Sequence, residues 1–168
     1  MTHDELLKAT ARALTQFLDR ERDLLSRDVN ERSITHKLAE YLQGQFPEWN
    51  VDCEYNRLGY KAKTLPAVNE IRTDDTDGRT IYPDIVVHKR GEPDNLLVIE
   101  VKKSGNSRGG DEKKLTALTR DDGGYAYRLG LYLVFDCDKQ SLARVTCYAN
   151  GGKDAALTEV AERAFGLG

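Results

Sequence analysis

The chain has 168 residues, enough for one domain with a substantial core and too few to argue comfortably for two. Hydrophobic residues at 39% and charged residues at 32% exclude a disordered chain, and no apolar run nears the ~20 residues that span a bilayer. The formal charge of −3 argues against a protein that is basic overall, leaving a local gathering of cations at Lys89, Arg90, Lys102, Lys103, Arg108, Lys113 and Lys114.

The first residues are acidic and amphipathic with no apolar signal core, so a cytoplasmic protein away from membranes is expected. Cys53, Cys137 and Cys147 form no CxxC pair and read as thiols in a reducing compartment.

In chain order, Leu7, Leu14, Leu18 and Leu25 recur at helical spacing and predict a helix over 1–28. Asn30 is an expected N-cap for a second helix, with Ile34, Leu38, Tyr41, Leu42 and Phe46 on one stripe and Pro47 just past its end. Residues 49–55 read as a short strand and 57–80 as a long polar loop. Two β runs follow, 81–88 and 96–103, joined as a hairpin by 89–95. A loop from Gly105 to Gly110 leads to a helix near 111–120, whose apolar side is Leu115 and Leu118. Residues 125–136 read as a central strand and 142–148 as its neighbour; a closing helix near 154–165 follows the Gly151-Gly152 break. The expected order, α-α-β-β-β-α-β-β-α, describes one mixed α/β domain with a central sheet flanked by helices. It divides into an N-terminal helix (1–28), a core (30–149) and a C-terminal helix (153–166).

The chemistry concentrates in the hairpin. Asp84, Val86 and His88 share one face of the first run, and Val98, Glu100 and Lys102 share a face of the second. With the turn centred on Glu92, Asp84 lies opposite Glu100. Two carboxylates facing each other repel unless a cation sits between them. Oxygen donors of this kind suit Mg²⁺ or Mn²⁺, which also accept phosphate oxygens. Lys102 would place an ammonium beside that ion, where it can position a water and offset charge on a phosphate. Solvated polar faces carry similar residues in many sheets, but the apolar flanks here predict a covered face, on which unpaired carboxylates are expensive.

Pro83-Asp84 followed by Glu100-Val101-Lys102 on consecutive predicted strands resembles the signature of the PD-(D/E)xK nuclease superfamily, the restriction-endonuclease-like fold. The resemblance implies an α-β-β-β-α-β core, which residues 30–148 can be laid on. It implies an Mg²⁺-dependent nuclease, with Mn²⁺ as substitute and DNA as the expected substrate. Asp84 and Glu100 would hold the ion, and Lys102 would assist the attacking water. In such proteins a backbone carbonyl between the acid and the lysine, here that of Val101, often touches the metal. An acid from the preceding helix often joins it, and Glu31 fits that place on the stripe of Ile34, Leu38 and Leu42. Glu31 is equally an N1 acid complementing the helix dipole.

Lys103, Lys113, Lys114 and His88 are the candidate substrate contacts; a solvated helix face for Lys113 and Lys114, and a satisfied strand-end histidine for His88, are the plainer readings. His3 and His36 read as surface residues, Glu54 as solvent-exposed, and Tyr125, Tyr127 and Tyr132 as sheet packing. The alternative function is a catalytically silent nucleic-acid-binding or scaffold subunit of a defence or repair system. Retention of both acids and the lysine favours the enzyme. Such nucleases often work as homodimers or with a partner subunit, and no separate DNA-reading domain is visible.

Overall fold

The computed structural model describes residues 1–27, 29–55, 57–58, 61–62, 81–105, 110–122 and 124–167. Helix α1 (His3–Arg20) begins at a capping box, in which the Thr2 hydroxyl accepts from the Glu5 amide and Glu5 accepts from the Thr2 amide. The helix expected over 1–28 is in fact two. Glu21 ends α1, and a short α2 (Arg22–Ser26) redirects the chain so that Leu25 reaches the core while Glu21 accepts a hydrogen bond from Tyr41. Helix α3 (Glu31–Gln45) is capped as expected by Asn30, whose side chain accepts from the Ser33 amide at 2.9 Å. Ile34, Leu38 and Leu42 are fully buried along its inner stripe.

The strands are β1 (Asn50–Cys53), β2 (Arg57–Leu58), β3 (Lys61–Ala62), β4 (Ile85–His88), β5 (Asn95–Lys103), β6 (Leu129–Asp136), β7 (Ser141–Ala149) and β8 (Gly152–Lys153). Helix α4 (Gly110–Leu118) links β5 to β6, and α5 (Ala155–Ala164) closes the chain. Six strands form one mixed sheet in the order β1-β4-β5-β6-β7-β8; β2 and β3 pair separately. Among the described residues only β5 and β6 run parallel, as the α4 crossover between them allows. Apart from β2 and β3, the predicted loop over 57–80 lies outside the described residues, as do Arg108 and most of the loop before α4.

Odd-numbered residues of β4 and β5 (Ile85, Val87, Leu97, Ile99, Val101) join α1, α3 and α5 in the larger core. Even-numbered Val86 and Val98 face α4 and pack with Leu115, Leu118, Tyr127, Tyr132 and Tyr148. Helices therefore cover both faces, as strands so uniformly apolar require. Among the described residues, no helix is long and apolar enough to cross a membrane.

Three predicted strands are shorter than expected: the run read over 81–88 pairs as a strand only from Ile85 to His88, and two others end at strained residues. Glu54 takes a positive φ of 49° and ends β1; Ala126, at 44°, keeps Tyr125 and Tyr127 out of β6, and the Tyr127 amide instead donates to Leu118 of α4. The Gly151-Gly152 break is part of a hairpin. Asn150 and Gly151 both take positive φ, the pattern of a type I′ turn, and join β7 to β8.

Candidate active site

The β4–β5 ladder pairs Ile85 with Ile99, Val86 with Val98 and Val87 with Leu97. One further step along the same register sets Asp84 opposite Glu100, as the sequence predicts. Beyond Val87 the register shifts, and His88 meets Asn95. Asp84 reaches across the hairpin, its Oδ2 accepting from the Val101 amide at 2.7 Å. Burial pushes its carboxyl up, and that hydrogen bond only partly offsets the rise.

Glu100 lies mid-strand on the face covered by α4 and is fully buried. Its Oε2 accepts from Lys114 Nζ at 2.7 Å, while its buried Oε1 has no hydrogen-bond partner. Burial, followed by the nearby Asp84 charge, raises its carboxyl well above the usual range despite Lys114.

Lys102 Nζ stands 3.2 Å from Glu31 Oε2 and 3.1 Å from Asp111 Oδ2. The latter is an ion pair without good hydrogen-bond geometry, and it leaves that buried oxygen unsatisfied. Asp111 Oδ1 lies 3.2 Å from Lys114 Nζ. Burial alone would loosen the protons of Lys102 and Lys114, but Asp111 and Glu31 around Lys102, and Glu100 and Asp111 around Lys114, outweigh it and hold both as ammoniums.

The result is a continuous chain, Glu31–Lys102–Asp111–Lys114–Glu100, joined to Asp84 through the Val101 amide. Four carboxylates surround two ammoniums, so the cluster is anionic when all are ionised. The elevated Glu100 carboxyl is its response: without another cation, protonation is the cheaper way to shed charge.

The structure thus brings Glu31, Asp84, Glu100, Lys102 and Lys114 together. Glu31 also accepts from the Lys103 amide, and Lys103 Nζ donates to the Val29 carbonyl. Lys114 sits among the acids, whereas Lys113 is exposed on α4. His88 lies apart. Its Nε2 is 2.9 Å from Asp52 Oδ2, its ring packs on Tyr55, and Asp52 is also held by Arg90. His36 is exposed beside Glu40, His3 contacts the Arg128 carbonyl, and exposed Glu54 pairs with Arg32. The three cysteines are free thiols.

Asp111 is the residue the sequence reading overlooked, because an acid in the first turn of a helix needs no further reason. A signal was available: Asp111, Leu115 and Leu118 share one stripe of α4, and all three are buried. A carboxylate on an apolar stripe has to be partnered.

An oxygen-rich donor set with a buried, unpartnered Glu100 oxygen fits a hard divalent ion. Among the described residues, no three His, Cys, Asp or Glu side chains are grouped to hold a metal by themselves. Mg²⁺ is commonly held by one or two carboxylates, with water and substrate completing its shell, and Asp84 and Glu100 supply that minimum. No protein-family model matches the chain, and neither does any curated protein.

Proposed function

We propose that this protein is a metal-dependent nuclease that hydrolyses phosphodiester bonds of DNA. The observation that carries the reading is the buried Glu100 carboxyl, with one oxygen unpartnered, in a cluster holding more carboxylates than ammoniums. The order α3-β1-β4-β5-α4-β6, with an antiparallel three-strand meander and a parallel fourth strand, supports it, because the superfamily resemblance implies that core.

Asp84 and Glu100 would hold Mg²⁺ or Mn²⁺, with the Val101 carbonyl beside them. A bound ion of this kind polarises a phosphate oxygen and makes water a stronger nucleophile at neutral pH. Glu31 and Asp111 keep Lys102 charged and oriented, so its ammonium positions the attacking water and offsets charge on the phosphate. Lys114 neutralises Glu100 and, with an ion on the acids, would be available to a substrate phosphate. Asp111 sets the spacing of the two lysines.

The test is cleavage of plasmid, linear duplex, single-stranded DNA and RNA with Mg²⁺, Mn²⁺ or EDTA. Metal-dependent cutting of DNA, reduced about 100-fold or more by Asp84→Ala and by Lys102→Ala, is the expected result. Failure of wild type to cut any substrate, with no heat of Mn²⁺ binding in calorimetry, would overturn it. One observation favours a catalytically silent nucleic-acid-binding or scaffold subunit: Lys114 already gives Glu100 a counter-ion at 2.7 Å. Mn²⁺ binding with no turnover on any substrate would select that reading.

A further inference from the structure

The face of the sheet that carries the acids continues past them. Lys102 of β5 pairs with Val134 of β6, and Val134 pairs with Arg144 of β7, so Lys102 and Arg144 share a cross-strand row on one face. Glu100, Tyr132 and Thr146 form the next row. Strands stand ~4.8 Å apart, which places Arg144 roughly 10 Å from Lys102 across the sheet.

Arg144 is exposed, and among the described residues no carboxylate pairs with it. Its guanidinium carbon lies 5.8 Å from the centre of the Tyr132 ring, a cation–π distance that braces the side chain against the sheet. Tyr132 in turn pairs with Glu100 across β5 and β6, which sets the ring under this arginine beside the acid cluster. The nearby acid Glu112 is engaged by Lys153 at 3.0 Å. Farther along β7, the Tyr148 hydroxyl is buried without a hydrogen-bond partner. A braced, unpaired guanidinium next to an anionic cluster is a place for a substrate anion. Its planar donor fork suits phosphate.

We propose that Arg144, seated on Tyr132, binds a second backbone phosphate of the DNA strand cut at the Asp84–Glu100–Lys102 site. At roughly 10 Å from Lys102, that phosphate lies about one or two nucleotides from the scissile one, because the backbone winds around the axis and successive phosphates stand farther apart than the ~3.4 Å axial rise. The inference rests on the nuclease reading and adds a strand-positioning contact to it.

Fluorescence anisotropy of a fluorescein-labelled DNA duplex, titrated at several salt concentrations with Mn²⁺ in the slow-cutting Lys102→Ala background, reads this contact. Adding Arg144→Gln is expected to weaken binding about ten-fold. It should also reduce the slope of log affinity against log salt by about one, with Arg144→Lys between the two. In otherwise wild-type protein, Arg144→Gln should raise KM and leave kcat and melting temperature unchanged. An unchanged salt slope and KM, in a protein that still cuts DNA, would overturn the Arg144 contact and leave the nuclease standing. A wild type that neither binds nor cuts DNA would overturn both.

Discussion

At the scale of single residues, Glu100 sets metal-free stability against function. An acid whose carboxyl is raised in the folded protein binds its proton there more tightly than in the unfolded chain. Its contribution is therefore present at low pH and falls away as pH rises through the ordinary carboxylate value, until Glu100 itself ionises. Asp84 is raised for the same first reason, burial, and adds to the slope in the same direction. Glu100→Gln removes the ionisation while keeping an oxygen for Lys114. The metal-free variant is expected to lose less stability between acid and neutral pH than wild type, in urea unfolding followed at several pH values. A gain at neutral pH is the expected sign, because the amide carries no charge to bury. A slope equal to that of wild type would show that Glu100 ionises in the fold without penalty.

At the scale of elements, the closeness of α4 to the sheet depends on Gly130. A Cβ there would stand 3.0 Å from Thr119 Cγ2, 3.2 Å from Tyr148 Cβ and 3.3 Å from Leu115 Cδ2. Those atoms belong to the α4 end and to β7, so added volume pushes α4 off the strands that carry Glu100 and Lys102. Gly130→Ala is expected to destabilise by about 1–3 kcal/mol in thermal or denaturant melts, and Gly130→Val by more. Because α4 also carries Asp111 and Lys114, any cleavage should drop more than the loss of folded fraction explains. The hairpin shows the opposite case, an element legible in the sequence. Alternation and a short turn decide its register, so Asp84 and Glu100 could be paired before any tertiary contact was known. The first helix was harder: no proline or glycine marks its break at Glu21, and what favours α2 is the burial of Leu25.

At the scale of the whole molecule, an overall charge of −3 hides a local arrangement in which acids converge at one end of the sheet. If a divalent ion relieves that convergence, Mg²⁺ or Mn²⁺ should stabilise wild type by about 2.7 kcal/mol at a hundred-fold excess over Kd and so raise its melting temperature. Asp84→Asn should lose most of this gain, while His88→Gln, altered in the separate Asp52–Arg90 group, should retain it. Equal stabilisation of all three proteins in calorimetry would place the ion elsewhere. The sequence by itself determined the helix stripes, the Asn30 cap, the hairpin register and the three residues Asp84, Glu100 and Lys102 on one face. Each depends on spacing along a few residues, where period and turn length act directly. Only the tertiary structure decided that Asp111 and Lys114 enter the same cluster, that Glu31 reaches Lys102, and that Arg144 continues its row. Those meetings require α3 to pack on the sheet and α4 to cross from β5 to β6, and the parallel β5–β6 register is decided by packing of the whole core rather than by a local turn.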